Sequence, residues 1–197
     1  MLSLLFALLF IVPLQTGPEP EAPLSFYSRG QTLEQFLERA KHQRELWLTN
    51  AAWTDIPPDL VLRLRRVNSG LRFLIVAEDW CPDSVNTVPY VVRLGAMAGV
   101  ETRIVDRTVG QVLMSRHRTP DGRTATPTVI LLRDGSDAGA WVERPLVLQH
   151  LFLTMGANPD NGRRLAERQS WYDADRGRTA LSELVSLAER TASSRNK

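Results

Sequence analysis

The amino-acid sequence predicts an α/β fold: a central mixed β-sheet flanked by helices, with extra helices at the N- and C-terminal ends. Three observations predict it. Leu71 to Ala77 is a short apolar, β-branched run that reads as a buried central strand. Helix- and strand-period segments then alternate before two strands follow in succession, a βαβ crossover feeding a hairpin. Segments with helical spacing lie on both sides of that core. A chain of 197 residues suits one full domain with added helices and is short for two independent cores.

From the N-terminus, Met1 to Gly17 is an apolar segment. The first eighteen residues carry no charged side chain, and Leu2 to Leu14 is almost continuously apolar. The run is short for a bilayer span and suits a signal-peptide h-region, so no stable membrane span is expected. It lacks a basic n-region and a clean A-x-A site, so an uncleaved apolar tail is the alternative. The expected location is periplasmic or extracellular on the first reading and cytoplasmic on the second. Residues 18–30, with Pro18, Pro20 and Pro23, read as a linker.

Residues 31–70 read as an N-terminal helical extension. Thr32 and Gln35 form a capping-box pattern. Leu33, Phe36, Leu37, Ala40, Trp47 and Leu48 then recur at helical spacing, predicting one long amphipathic helix. A second helix follows Pro57-Pro58 and stops near Asn68-Ser69-Gly70. In the core, 71–144, strands are expected at Leu71–Ala77, Glu101–Val105, Pro127–Leu132 and Ala140–Glu143, with helices at Pro82–Met97 and Val109–Arg116. The C-terminal extension, 145–197, reads as helices at Leu146–Met155, Gly162–Trp171 and Thr179–Thr191.

Composition excludes several classes. A net charge of +2, with basic and acidic side chains interspersed, argues against a nucleic-acid partner. The arginines at 63, 65, 66, 163 and 164 read as solvated helix faces. One cysteine rules out an internal disulfide and multi-cysteine metal sites, and His42, His117 and His150 show no metal-ligand spacing. No metal or cofactor is expected. There is no G-x-G-x-x-G and no P-loop, so nucleotide binding has no support. Trp47, Trp53, Trp141 and Trp171 read as core or interface anchors.

The strongest local motif is Trp80-Cys81-Pro82-Asp83-Ser84, between the buried strand and the next helix. Unpaired backbone N–H groups and the helix dipole favour a thiolate at such a position. Pro82 suits a first helical turn. The Asp83 carboxylate works against a second negative charge nearby. Ser84 is expected to bond to backbone or near the thiol. Of the preceding acids, Asp79 reads as a surface residue and Glu78 as the candidate for a local role.

W-C-P-D-S resembles the W-C-x-x-C active site of the thioredoxin superfamily, and W-C-P-D-C occurs in some thioredoxin-related proteins. Pro89 falls where thioredoxins carry a helix-kinking proline. Thr126-Pro127-Thr128 resembles the cis-proline loop facing the active-site cysteine, and Asp134-Gly135 the turn after the next strand. Ala77-Glu78-Asp79-Trp80-Cys81 is similar to a bacterial thioredoxin-like subfamily in which a single active-site cysteine (CxxS) is common. The resemblance spans about Leu71 to Arg144 and implies a thioredoxin-like fold. It makes Cys81 and Ser84 the candidate catalytic residues, and Trp80, Pro82, Asp83, Thr126 and Pro127 the candidate substrate-binding residues.

Two departures from the family pattern narrow the chemistry. Ser84 stands where a dithiol site has its second cysteine, and a hydroxyl cannot resolve a mixed disulfide. Ile75 stands where thioredoxins carry a buried carboxylate. The resemblance therefore implies monothiol exchange, with a protein or low-molecular-weight disulfide as substrate and an external thiol releasing the product. The alternative is a redox-inactive module that binds extended peptides or partner proteins. A third reading ranks last: in monothiol glutaredoxins a C-x-x-S cysteine helps hold a shared iron–sulfur cluster, but no glutathione-site signature is present.

Overall fold

The computed structural model describes residues 21–53, 55–154 and 161–194. The apolar Leu2–Leu14 run and the expected helix end at Met155 lie outside the described residues.

Four strands form one sheet in the order β2-β1-β3-β4: β1 (Leu71–Val76), β2 (Glu101–Val105), β3 (Thr128–Arg133) and β4 (Ser136–Val142). β1 pairs in parallel with β2, while β3 runs antiparallel to both β1 and β4. The parallel pair needs a crossover, and the segment 82–98 supplies it as a helical layer. The β3–β4 hairpin turns on Asp134 and Gly135, both at positive φ (51° and 84°). That is the backbone requirement of a two-residue turn matching strand twist.

Side-chain alternation along the central strands builds two apolar layers. Phe73, Ile75, Val129 and Leu131 face the larger one, with α3 (Arg44–Ala51), α4 (Pro58–Arg66), α6 (Val88–Ala98) and α10 (Arg178–Ser193). Leu74, Val76, Ile130 and Leu132 face the smaller one, under α1 (Pro23–Ser28) and α7 (Arg107–Arg116). Because both faces are covered, β1 and β3 read as near-continuous apolar runs. Gly110 of α7 lies so close to Val76 that a Cβ there would sit 2.5 Å from a valine methyl. A side chain at 110 would push α7 off the strand.

Three segments differ from expectation. Residues 23–28, inside the stretch read as a linker, form α1, and its Phe26 and Tyr27 are buried. The expected single helix from Thr32 to Leu48 is two: α2 (Leu33–Arg39), with its capping box formed as predicted, and α3, separated by extended Ala40 and left-handed Gln43. Asp79 explains the break, since its carboxylate accepts the Lys41 and His42 N–H groups (2.6 and 3.1 Å). Those amides would otherwise continue a helix. Leu48 consequently lies 43% exposed, outside the predicted apolar face.

The expected helix Pro82–Met97 is also two, a single turn α5 (Pro82–Val85) and then α6. Pro89 has no N–H to bond the Val85 carbonyl one turn back. Asn50 of α3 takes that role, donating Nδ2–H to Val85 O at 2.9 Å, while Tyr90 donates its hydroxyl to Asn50 Oδ1. The proline break therefore anchors the N-terminal extension onto the core. Arg63 of α4 likewise pairs with Glu189 of α10 (2.7 Å), and Arg65 donates to Met97 O. Those arginines bridge elements and are more than a solvated face. The remaining C-terminal helices are α8 (Leu146–Thr154) and α9 (Asn161–Asp175).

Candidate functional site

β1 ends at Val76, and the chain crosses Ala77–Trp80 to reach Cys81, the N-cap of α5. Two backbone bonds shape the crossing: Ala77 N–H to Val105 O (3.0 Å) and Cys81 N–H to Glu78 O (3.2 Å). On the far side, the Thr126–Pro127 peptide is cis. Pro127 O accepts Glu143 N–H at 2.7 Å, which ties this loop to the end of β4. The Cys81 thiol donates to Thr126 O at 3.2 Å and is 6% exposed. The structure thus brings Cys81, Thr126 and Pro127 together.

Trp80 is 50% exposed beside the thiol, its indole N–H held by Glu78 Oε2 at 3.1 Å. Glu78 also accepts Arg107 N–H at the start of α7 (2.7 Å). Asp79, expected at the surface, is instead a structural acceptor, and its own backbone oxygen takes the Trp47 indole N–H at 3.0 Å. Burial raises the Asp79 carboxyl, but the Lys41 and His42 N–H groups and the His42 ring outweigh it and hold it below the ordinary value of 3.8. A depressed carboxyl contributes stability that is present above its unfolded pKa and lost as pH falls through the folded one. Asp79→Ala is therefore expected to be less stable than wild type at neutral pH, with the difference narrowing as pH falls below 3.8 and through the lower folded value. Denaturant melts of both proteins across pH check this.

The α5 turn is only four residues long, so the helix whose dipole is expected to act on Cys81 is one turn followed by a break. Pro82 is half-buried there. Ser84 does not bond as expected: it is fully buried, and its hydroxyl has no hydrogen-bond partner among the described residues. The nearby Thr87 hydroxyl is in the same condition. An unmet buried hydroxyl costs about 1–3 kcal/mol. Ser84→Ala is accordingly expected to match or exceed wild-type stability by about 1 kcal/mol in denaturant melts. A loss of more than about 1 kcal/mol would mean that the hydroxyl is satisfied.

These features, a cysteine between strand and helix turn against a cis-proline loop, sit within residues 30–160, which match the thioredoxin family model. The chain belongs to the thioredoxin family. The match extends beyond the 71–144 core into both flanking segments. Among solved structures, a protein of unknown function from Pseudomonas aeruginosa is similar. It has TM-score 0.68 and 20% identity over 86% of this chain and 98% of that one. An HIV epitope scaffold is also similar, with TM-score 0.53 and 19% identity over 86% and 92% of the two chains. At these identities the likeness concerns fold alone. No curated protein matches the sequence significantly.

What this thioredoxin-family chain adds lies beneath the motif. Asp83 is 4% exposed, with Arg144 Nη2 at 2.8 Å, the Tyr172 hydroxyl at 2.8 Å and Arg168 Nη1 at 3.9 Å. Burial pushes the Asp83 carboxyl up, against the pull of Arg144, Arg168 and Tyr172. Burial, then the Asp83 charge, pushes the Tyr172 phenol well above its ordinary range, so it stays a donor. Arg144 follows β4, and Arg168 and Tyr172 lie on α9. The motif acid is thus a buried anchor for the C-terminal extension. Sequence reasoning missed these three partners, because they lie 61, 85 and 89 residues beyond Asp83 and share no spacing with it.

His117 pairs with Asp137 at 2.7 Å and His42 with Asp79 at 3.2 Å, while His150 is exposed. Trp47 and Trp141 are buried, Trp53 packs against the core, and Trp171 lies edge-on to Tyr172 at 5.5 Å. No described helix is long and apolar enough to cross a membrane.

Proposed function

We propose that the protein performs monothiol thiol–disulfide exchange at Cys81. The observation that carries this reading is the Cys81 thiol set against Thr126 O beside cis-Pro127, with the preceding residue, Trp80, half-exposed. In this reading a disulfide lies across Trp80 and the 126–127 backbone and reaches the sulfur through the 6% of Cys81 that is exposed. The Cys81 proton leaves to solvent base, giving up the bond to Thr126 O. The thiolate attacks one sulfur of R–S–S–R′, forming Cys81–S–S–R and releasing R′–S⁻. An external thiolate R″–S⁻ then attacks the R sulfur of that mixed disulfide, forming R–S–S–R″ and releasing the Cys81 thiolate, so the protein gains no net electrons. Ser84 cannot perform this second step, and its buried hydroxyl supports a site that relies on an outside thiol.

Deglutathionylation of a peptide mixed disulfide tests the reading. Wild type with a small thiol in excess is expected to release the peptide thiol faster than Cys81→Ala does. Equal rates would overturn it. The second reading, a redox-inactive module gripping extended peptides, is favoured by the low exposure of Cys81, 6%. It predicts peptide binding that survives Cys81→Ala, with no release activity in either protein.

A further inference from the structure

Arg144 and Arg168, the partners of Asp83, also line a cavity of about 570 Å³ between the end of β4, α8 and α9, within the size range of small-ligand sites. Four guanidinium groups line it, those of Arg123, Arg144, Arg164 and Arg168, against two lining carboxylates, Asp121 and Glu143. Arg123 is taken by both of those acids, and Arg144 by Glu143 and Asp83. Arg168 reaches Asp83 only at 3.9 Å. Arg164 meets no carboxylate among the described residues; it bonds the Phe152 carbonyl at 3.5 Å and lies over the Phe152 ring, as Arg144 also does. Its apolar lining is Phe152 with two leucines, Leu153 and Leu165, which are 52% and 53% exposed. The cavity therefore offers a fork-shaped cation with no carboxylate partner among the described residues, beside exposed hydrocarbon.

No residue of the thiol motif lines the cavity, but two of its lining residues are bonded to that site. Glu143 bonds Pro127 O through its backbone N–H, and Arg144 bonds Asp83, two residues from Cys81. We infer that this cavity binds the carboxylate of a small thiol or disulfide of about tripeptide size, with Arg164 as the carboxylate clamp and Leu153 and Leu165 against its aliphatic part. The inference rests on the exchange reading for what the ligand's sulfur does. The ligand would enter as the disulfide that Cys81 attacks or as the thiol that releases it. No sequence signature marks this site, because its arginines come from the loop before β3, the end of β4 and two turns of α9.

Two measurements test it. The first compares Cys81 modification by glutathione disulfide with that by its fully esterified form, which has the same sulfur chemistry and size without free carboxylates. Wild type is expected to favour the free acid by at least about tenfold, the lower end for a charge-assisted hydrogen bond, and Arg164→Gln to lose that ratio. The second titrates Cys81→Ala, which cannot exchange, with glutathione disulfide by calorimetry. Saturable binding weakened about tenfold by adding Arg164→Gln supports the cavity even if Cys81 proves unreactive, an outcome that would sink the exchange reading alone. Equal rates for acid and ester, or a titration without binding or indifferent to Arg164→Gln, would overturn the inference and leave exchange standing.

Discussion

Asp83→Ala is expected to cost about 3 kcal/mol of stability, the low end for removing one partner of a buried ion pair. The substitution takes the counter-charge from Arg144 and Arg168, whose side chains are 12% and 15% exposed, and the acceptor from the buried Tyr172 hydroxyl. Arg144 keeps Glu143 at 2.7 Å, which is why the cost is not larger. In a protein of this size the loss corresponds to roughly 6–12 °C in melting temperature. Asp83→Asn separates the contributions, since its amide oxygen still accepts from Tyr172 while the charge is gone. It is expected to fall between wild type and Asp83→Ala. Amide protection should be lost first in α9, which holds two of the three partners. A change of less than about 1 kcal/mol in Asp83→Ala would mean that α9 is held by other contacts.

Trp47→Ala is expected to cost about 3–5 kcal/mol, the range for truncating a fully buried aromatic. Trp47 is 0% exposed, packs against Phe36 with ring centroids 5.1 Å apart, and donates its indole N–H to Asp79 O. The same side chain thus joins α2, α3 and the crossing that leads to Cys81. Trp47→Phe keeps most of the burial and loses the hydrogen bond, so it is expected to cost about 1–2 kcal/mol beyond its volume change. Urea unfolding of the three proteins checks both values. A larger effect of Trp47→Phe than of Trp47→Ala would contradict the packing account.

The fold is legible in the sequence where each local cue agrees with burial. Leu71–Val76 and Thr128–Arg133 are apolar on both faces because helices cover both, and Asp134-Gly135 names its own turn. Helix breaks are legible only in part. Pro89 is a visible breaker, but the sequence does not say that Asn50 will take over the carbonyl that a proline leaves. At Ala40–Gln43 there is no breaker residue at all, and the break comes from a carboxylate 36 or more positions away. The site divides in the same way. Cys81, Pro127 and Trp80 are marked by motif, whereas Arg144, Arg164, Arg168 and Tyr172 become neighbours only through the docking of α8 and α9. Ser84 reads as a local hydrogen-bonding residue, yet α5 ends after one turn and leaves its hydroxyl facing the core.

If Cys81 exchanges with disulfides, the mass of the intact protein records it. Reduced protein is incubated with glutathione disulfide at about pH 8, close to the ordinary thiol pKa, and weighed before and after addition of a small thiol. Exchange predicts one added glutathione per chain, absent in Cys81→Ala and removed by the thiol. An unmodified wild-type mass under those conditions, with the protein folded, would contradict it.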